Sequence, residues 1–212
     1  MKIGLDIMSG DNGPLSNIKG AISYINNPKS KNTQVILYGN ENIYKNNLTL
    51  INNYKDRLDF VVTKHIISMD DKPSIVFRKK RDSSLIRIVD DIKNNLLDGC
   101  ISSGNTGALL TAGLLILGKI KGIGRPALAP LIPIGKNGFI LCDVGANSSI
   151  KPKHLVEFGL MCTAYLENLN QISKPRVALL NIGIEENKGN QLTIEAYPML
   201  KNNLNNFIGN IE

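Results

Sequence analysis

The sequence predicts an α/β fold in which crossover helices join a mostly parallel sheet. Short segments rich in Val, Ile and Leu recur along the chain as continuous apolar runs. Such runs are typical of strands that are covered on both faces. Segments of helical length lie between several of them, and this alternation favours crossover connections between parallel strands.

The individual elements follow from this pattern. Strands are predicted at residues 2–7, 33–38, 58–62, 99–102, 138–143 and 176–182, each bounded by Gly, Pro, Asn or Asp. Helices are predicted at residues 15–25, 74–97, 107–118, 152–169 and 192–203. Pro198 should kink the last helix or delay its start, because proline removes an internal hydrogen bond. No linker or repeat interrupts residues 1–212, so we predict a single domain.

The composition disfavours several protein classes. Hydrophobic residues make up 42% and charged residues 20%, which disfavours disorder and fibrous folds. Three cysteines without a disulfide framework favour a reducing cytosol. The longest apolar run, residues 108–117, is too short to span a bilayer, and the N-terminal segment lacks the apolar stretch of a signal peptide. We therefore expect a cytoplasmic protein.

Lys and Arg outnumber Asp and Glu by 25 to 18, and the resulting net charge of +7 favours an anionic partner. Aromatic residues are only 5% of the chain and Trp is absent, so a nucleic-acid-binding surface with stacking side chains is disfavoured. The basic run at residues 78–81 falls within the predicted helix 74–97. It is either a solvated face or a surface for an acidic partner or a phosphate.

Ligands of open α/β sheets bind beyond the carboxyl ends of the strands, so the strand exits are the places to look for function. After the first strand, Gly10 and Gly13 allow a tight turn, and Asp6 and Asp11 can order it by accepting backbone N–H groups. An ordinary strand exit would show the same pattern.

A second exit contains Ser103, Gly104, Asn105, Thr106 and Gly107, a segment that we call the cradle. Its small residues let backbone N–H groups converge at a helix N-terminus, where hydroxyl groups can also donate to an anion. The segment matches neither the P-loop nor the dinucleotide-binding pattern. Helix capping by Ser103, Asn105 or Thr106 is the alternative to phosphate binding, and the sequence leaves both open.

Two later exits carry Asp143, Gly145 and Asn147, and then Lys188 beside Gly189. A lysine there can reach a phosphate or a thioester carbonyl as a point charge, although most loop lysines are only solvated. With two histidines and scattered cysteines, the chain shows no metal-ligand spacing. It also lacks a Ser-His-Asp arrangement and a nucleophile elbow. We predict no metal, no cofactor and no covalent catalysis by the protein.

Taken in order, these segments closely resemble the bacterial phosphate acyltransferase (PlsX) family, the acyl-carrier-protein:phosphate transacylases. The resemblance is carried by residues 5–11 (LDIMSGD), 69–73 (MDDKP), 78–80 (RKK) with Ser83 and Ser84, 103–109 (SGNTGAL), 125–129 (RPALA), 143–147 (DVGAN), 151–152 (KP) with His154 and Leu155, 180–183 (LNIG), 188–190 (KGN) and 206–210 (NFIGN). It covers the whole chain and corresponds to roughly the N-terminal two-thirds of the family. Ordered motifs in this number are far more specific than any one glycine loop.

The resemblance implies a fold similar to that of phosphate acetyltransferases and isopropylmalate dehydrogenases. It also implies transfer of a fatty acyl group from acyl carrier protein to orthophosphate, which gives acyl phosphate for phospholipid synthesis. The family's implicated lysine falls on Lys188, which we expect to meet oxyanion or phosphate charge. We expect the cradle to bind phosphate, with Asp6 and Asp11 also at the substrate site. Asp143, Gly145 and Asn147 are expected to shape their loop and to donate hydrogen bonds.

The implied partners are acyl-acyl carrier protein, orthophosphate and a membrane-bound glycerol-3-phosphate acyltransferase that accepts the product. The resemblance also implies a homodimer in full-length members and peripheral association with the membrane. Acyl carrier protein is strongly acidic, which gives the positive net charge a concrete interpretation. No nucleic-acid partner is expected.

The chain departs from the family pattern at several positions. Ser9 stands where the family has glycine, Ser148 and Ser149 replace the usual Val-Asp, and Lys153 and Glu157 replace Glu and Gln. Family members also continue well beyond residue 212, through a further loop implicated in catalysis and helices that complete the sheet. An inactive remnant that binds phosphate or carrier protein is therefore the main alternative. A nucleotide-dependent oxidoreductase of similar topology is disfavoured because the dinucleotide fingerprint is missing.

Overall fold

The computed structural model describes residues 1–134, 137–169 and 172–212. The chain forms two compact units, Met1–Gly118 (unit 1) and Lys119–Glu212 (unit 2). Both units contain helices, strands and a buried apolar cluster. The single domain expected from the sequence stays a prediction, because it concerns how the two units behave together.

Unit 1 is built around a four-stranded parallel sheet. Its strands are β1 (Lys2–Asp6), β2 (Gln34–Gly39), β3 (Leu58–Val62) and β4 (Gly99–Ile101), in the spatial order β3-β2-β1-β4. In the register, Ile3 of β1 lies opposite Val35 on one side and Gly99 on the other. The four strands predicted in this region are confirmed to within one residue at each end.

Six helices of unit 1 surround or flank this sheet. They are α1 (Gly13–Ile25), α2 (Glu41–Asn46), α3 (Leu48–Asn52), α4 (Pro73–Lys79), α5 (Ser84–Lys93) and α6 (Thr106–Ala112), and α6 continues as a π-helical turn, Gly113–Leu117. The α1 side of the sheet buries Ile7, Ile18 and Leu37 in one cluster. The α5 side buries Tyr38, Ile88 and Leu97 in another. Both faces of the sheet thus carry helices, as the apolar strands predict.

The single helix predicted for residues 74–97 is wrong, because the chain forms α4 and α5 with a break between them. At the break, Ser83 has an extended backbone and pairs with His65. The carbonyl of Asp82 accepts hydrogen bonds from the N–H groups of Lys64 and His65. These long-range contacts stabilise the extended conformation there, although the local sequence favours helix.

The same break separates the members of the basic run at 78–81. Arg78 and Lys79 lie in the last turn of α4. Lys80 instead forms an ion pair with Asp71 and donates a hydrogen bond to the carbonyl of Ile66. The guanidinium of Arg81 lies 4.7 Å from the ring centre of Phe77. The run is therefore distributed over a helix end and a loop, and it does not form one solvated helix face.

The described residues of unit 2 form two pairs of strands and two long helices. The strands β5 (Leu131–Ile134) and β6 (Asn137–Ile140) are antiparallel, whereas β7 (Val177–Leu180) and β8 (Phe207–Ile211) are parallel. The helices α7 (Pro152–Leu169) and α8 (Gln191–Asn203) pack against the second pair through Val156, Leu179, Ala196, Leu200 and Leu204. The bounds predicted for α7 are confirmed.

Two expectations for unit 2 need correction. Residues 138–143 were expected to form one strand of the parallel sheet, but β6 ends at Ile140. Among the residues that the structure describes, its partner strand is β5 alone, in an antiparallel hairpin. Helix α8 begins at Gln191 and runs past Pro198, so the proline does not delay its start. Ala196 and Leu200 on either side of Pro198 are buried, and this packing holds the helix in place despite the lost hydrogen bond.

No helix in the described part of the chain is both long enough and apolar enough to cross a membrane.

Candidate functional site

The exit of β1 is organised by the buried carboxylate of Asp6, which is 4% exposed. Its Oδ1 accepts a hydrogen bond from the hydroxyl of Ser84 (2.6 Å) and from the N–H of Met8 (3.2 Å). Its Oδ2 accepts from the hydroxyl of Ser102 (2.9 Å). These donors offset the cost of burying the carboxylate. Asp6 accepts a backbone N–H of the turn, as the sequence predicts. Asp11, the other carboxylate predicted to order this turn, is exposed.

Two serine hydroxyls already use the first N–H groups of the cradle. The N–H of Ser103 donates to Oγ of Ser9 at 3.2 Å, and the N–H of Gly104 donates to Oγ of Ser102 at 3.2 Å. Ser9 is 7% exposed and also donates to the carbonyl of Asp6. A Cβ on Gly104 would lie 2.8 Å from the Cβ of Ser9, so the two loops approach too closely for a side chain there.

The remaining cradle donors lie at the start of α6. Within the part of the chain that the structure describes, the N–H groups of Thr106 and Gly107 have no hydrogen-bond partner. The side chains of Ser103 and Thr106 are exposed. These hydroxyl and N–H groups are the ones that a bound anion can use.

The side chain of Asn105 makes hydrogen bonds within the protein instead of facing outward to bind phosphate. Its Oδ1 caps α6 by accepting from the N–H of Ala108 at 2.9 Å. Its Nδ2 faces three carbonyl oxygens, those of Ser68, Met69 and Asp71, at 3.0 to 3.2 Å. Asn105 is thus committed to capping and to joining α6 to the loop at 68–71, which is the alternative that the sequence left open.

In unit 2, Asp143 holds its loop together as an acceptor. Its carboxylate accepts from the N–H groups of Leu128 (2.8 Å), Ala146 (3.2 Å) and Asn147 (2.9 Å), and from Nδ2 of Asn147 (3.0 Å). Burial raises the pKa of this carboxyl, but the hydrogen bonds from Leu128, Asn147 and Ala146 outweigh burial and hold the pKa below its ordinary value. An ionised carboxylate only accepts hydrogen bonds, so the expected donor role does not fit Asp143.

Asn147 is similarly committed to its own loop. Its Nδ2 donates to the carbonyl of Pro126 at 2.9 Å as well as to Asp143, and these two contacts use both amide hydrogens. The side-chain amide of Asn147 therefore has no hydrogen left to donate to substrate in this geometry, contrary to the expectation. Gly145 has φ of +104°, a conformation that favours glycine, and this accounts for its place in the loop.

Lys188 lies in the loop between β7 and α8, and its side chain is exposed. Nδ2 of Asn181 donates to the carbonyl of Lys188 at 2.9 Å. The next residue, Gly189, has φ of +100°, and a Cβ there would lie 2.1 Å from Oγ1 of Thr193. Gly189 and Thr193, with Asn181, Asn190, Leu180 and Ile182, line an open cavity of about 500 Å³. The loop conformation therefore requires glycine directly beside Lys188.

Several residues of these sites were not among the predicted candidates. Ser84 and Ser102 donate to Asp6, and Nδ2 of Asn17 donates to the carbonyl of Ser9 at 2.8 Å. Nδ2 of Asn210 in β8 donates to the carbonyl of Glu185 at 2.7 Å. Ser84 and Asn210 lie in motifs that carry the family resemblance, which was the available signal.

No group of three or more His, Cys, Asp or Glu side chains in the described residues is placed to hold a metal ion.

Comparison with known proteins identifies the family. The model of a family described as fatty acid synthesis protein matches residues 1–212. The chain belongs to this family. The curated relatives that match the whole of this chain include proteins named phosphate acyltransferase. That of Alkaliphilus oremlandii is 43% identical over 212 residues, and those of Listeria monocytogenes and Clostridium tetani are 42% identical over 217 and 213 residues. The resemblance to phosphate acyltransferases is thus confirmed.

The chain spans less than two thirds of the length of these family members: 62% of the Alkaliphilus and Listeria proteins and 63% of the Clostridium protein. Two solved structures share the fold over the whole chain. They are a EutD phosphotransacetylase from Staphylococcus aureus (TM-score 0.66, 15% identity) and a branched-chain phosphotransacylase from Enterococcus faecalis (TM-score 0.61, 17% identity). The chain covers 68% of each. The predicted α/β fold of phosphotransacylase type is confirmed.

Proposed function

We propose that the chain carries out phosphate acyl transfer, moving a fatty acyl group from acyl-acyl carrier protein to orthophosphate. The product is an acyl phosphate for phospholipid synthesis. The observation that supports this most strongly is the match of all 212 residues to a family whose similar members are named phosphate acyltransferase.

The reaction needs positioning and charge stabilisation more than it needs a protein nucleophile. A phosphate oxygen attacks the thioester carbonyl carbon, the carbonyl oxygen becomes an oxyanion, and the C–S bond breaks as the carrier-protein thiolate leaves. Fixed hydrogen-bond donors and a cation lower the free energy of that oxyanion. This chemistry uses no protein-bound acyl intermediate.

In unit 1, we assign phosphate to the donors of the cradle that the fold leaves available. These are the hydroxyls of Ser103 and Thr106 and the N–H groups of Thr106 and Gly107. Asp6 acts as a positioning residue, because its carboxylate orients the Ser102 hydroxyl that in turn accepts the N–H of Gly104. Gly104 and Asn105 are assigned to the shape of the cradle: Gly104 allows the close approach to Ser9, and Asn105 caps α6. Asp11 is exposed, and it is assigned to shaping the turn after β1 that contains it.

In unit 2, Lys188 is assigned to the negative charge of the phosphate or of the oxyanion. Its ammonium group acts as a point charge on a flexible stem, so it does not need a fixed geometry before substrate arrives. Asp143, Gly145 and Asn147 are assigned to shaping their loop, since their hydrogen-bonding groups are used there.

The proposal includes the partners that the family resemblance implies. Acyl-acyl carrier protein donates the acyl group, and a membrane-bound glycerol-3-phosphate acyltransferase accepts the product. The full-length protein is proposed to be a cytoplasmic homodimer that associates with the membrane surface.

The direct test measures phosphate-dependent release of the carrier-protein thiol from acyl-acyl carrier protein. Replacing Lys188 with Ala should nearly abolish acyl phosphate formation, because the charge that meets the oxyanion is lost. The matched control is Lys153→Ala, which removes another exposed lysine of unit 2. Thermal unfolding of both variants reports whether the fold is intact.

Near-normal turnover in Lys188→Ala would refute the role of that lysine. Absence of turnover in the unaltered chain, with phosphate still raising its unfolding temperature, would instead favour a non-catalytic phosphate-binding protein. The specific observation behind that alternative is the internal use of two cradle N–H groups by Ser9 and Ser102.

A further inference from the structure

Two cysteines of unit 2 lie side by side and take no part in the proposed function. Cys142 is the second residue after β6, and Cys162 lies in α7. A side-chain hydrogen bond joins their thiol groups. Both thiols are free and half-buried, so a small reagent in solution can reach them.

A connecting segment holds the loop after β6 against α7. The N–H of Gly124 donates to the carboxylate of Glu157 in α7 at 2.8 Å. Further along the same segment, the N–H of Leu128 donates to the carboxylate of Asp143 at 2.8 Å, and Asp143 follows Cys142 directly. One short segment therefore contacts both α7 and the residue next to Cys142.

Cys162 continues the buried face of α7. It follows Phe158 by one helical turn and His154 by two, and residues at this spacing share one face of a helix. Phe158 is 2% exposed and His154 is 6% exposed. A Cβ on Gly124 would lie 3.3 Å from Cδ2 of His154, so this face packs against the connecting segment. Cys162 thus lies on the side of α7 that is turned toward that segment.

The shared hydrogen bond makes the two thiols chemically different. It raises the pKa of Cys142, and burial and the charge of Asp143 act in the same direction. It lowers the pKa of Cys162, against the effect of burial. Cys162 is therefore the thiol that becomes a thiolate more readily, and the thiolate is the form that attacks a disulfide.

We infer that Cys142 and Cys162 are a redox-sensitive pair that a low-molecular-weight disulfide, such as oxidised glutathione, converts into an intramolecular disulfide bond. The contact between the two thiols carries this inference, which does not depend on the proposed function. In a reducing cytosol the pair stays reduced, and it forms the bond only when the surrounding thiol pool becomes oxidised.

The exchange proceeds in two steps. The Cys162 thiolate attacks one sulfur of oxidised glutathione, the S–S bond of glutathione breaks, and one glutathione thiolate leaves. Cys142 then loses its proton to solvent and its sulfur attacks the sulfur of Cys162, so that the new S–S bond forms as the second glutathione thiolate leaves. Two protein thiols are oxidised, and one glutathione disulfide is reduced to two thiols that take up the released protons.

The disulfide lies next to the loop that contains Gly145 and Asn147. Asp143 follows Cys142 directly, and its carboxylate accepts the hydrogen bonds that shape this loop. A covalent link from Cys142 to α7 therefore fixes one end of that loop to the helix.

The experiment exposes the folded 212-residue chain to mixtures of reduced and oxidised glutathione, stops the exchange by alkylating the remaining thiols, and measures masses by mass spectrometry. We expect a loss of two hydrogen atoms and a cross-linked peptide that contains Cys142 and Cys162. Cys100 in β4 should be alkylated as a free thiol, since burial and the charge of Asp6 raise its pKa. The matched control Cys100→Ser should form the same cross-link at the same rate.

Single substitutions separate the roles of the two thiols. Cys142→Ser should accumulate a mixed disulfide between Cys162 and glutathione, because the second thiol is missing. Cys162→Ser should react with oxidised glutathione about tenfold or more slowly, because the remaining thiol of Cys142 forms a thiolate less readily. Circular dichroism reports whether each variant is folded.

Separate glutathione adducts on Cys142 and Cys162 without a cross-link would overturn the inference. So would a disulfide that joins two chains, or a cross-link that forms equally fast in the urea-unfolded chain, since the fold would then not bring the thiols together. None of these measurements uses acyl-acyl carrier protein or phosphate. A failed thiol-release assay therefore counts against the proposed function and leaves this inference standing, and the reverse also holds.

Discussion

Asp6 is a buried carboxylate that is stabilised by hydroxyl and backbone donors. In the described residues it forms no ion pair, and its acceptor positions are filled by Ser84, Ser102 and the backbone of Met8. Each donor comes from a different part of unit 1, namely the start of α5, the exit of β4 and the exit of β1. One carboxylate thus fixes the relative positions of three segments that surround the cradle.

Asp143 gives a prediction about pH at this same scale. The folded-state pKa is lowered, so its hydrogen bonds stabilise the protein above the ordinary pKa of about 3.9 and are lost as pH falls through the folded value. We expect Asp143→Asn to lower the free energy of unfolding at neutral pH by about 1 to 3 kcal/mol, because backbone donors lose an ionised acceptor. Urea unfolding at a series of pH values measures this effect.

The difference between Asp143→Asn and the unaltered chain should shrink as pH falls from about 4, the ordinary pKa of the unfolded carboxyl, through the lower pKa of the folded state. A difference that stays constant from neutral to acidic pH would show that the stabilisation does not depend on the charge of Asp143.

At the scale of elements, Asn105 joins α6 to a loop far away in the sequence. We expect Asn105→Ala to cost about 2 kcal/mol of unfolding free energy, since it removes both a helix cap and the hydrogen bonds to the loop at 68–71. The matched control is Asn190→Ala. Asn190 caps α8 through the N–H of Thr193, and its side-chain bonds stay within the first turn. Urea unfolding followed by circular dichroism compares the two variants.

The loss in Asn105→Ala should exceed that in Asn190→Ala by the share due to the contacts with the loop. Equal losses would indicate that capping alone accounts for the contribution of Asn105.

Local patterns were sufficient to predict some elements and insufficient for others. The bounds of β3 and α7 were predictable because their apolar pattern and terminal residues agree with the tertiary structure. The break before Ser83 was not, since it depends on pairing with His65. Strand β8 was missed because Gly209 and Asn210 read locally as turn residues, whereas pairing with β7 makes this segment a strand.

The candidate site shows the same division. The strand exits that contain the cradle and Lys188 could be located because glycine-rich segments after strands are recognisable from the sequence alone. The contacts of Ser84 with Asp6, and of Asn105 with the loop at 68–71, join residues that lie 78 and 34 to 37 positions apart. Local spacing carries no information about such pairs. Ser84 was therefore missed as a candidate, although it lies in a motif that carries the family resemblance.

At the scale of the whole molecule, the net charge of +7 leads to a prediction about the rate of association with the acidic carrier protein that we propose as a partner. We expect the association rate constant to fall by about tenfold or more from low to high salt, because screening shortens the range of the attraction. Stopped-flow measurements with acyl carrier protein at several salt concentrations test this. A rate constant that does not depend on salt would contradict electrostatic steering.

The sheet order β3-β2-β1-β4 also has a consequence for protein synthesis. Among the four strands of this sheet, β1 is the first to leave the ribosome, yet one of its two neighbours, β4, begins only at Gly99. During translation, β1 can pair with β2 early, but its other edge stays open until most of unit 1 has been made. Contacts of such long sequence separation slow folding. A nascent chain that ends before β4 therefore presents an unpaired edge of β1, with backbone groups that can pair with a strand of another chain.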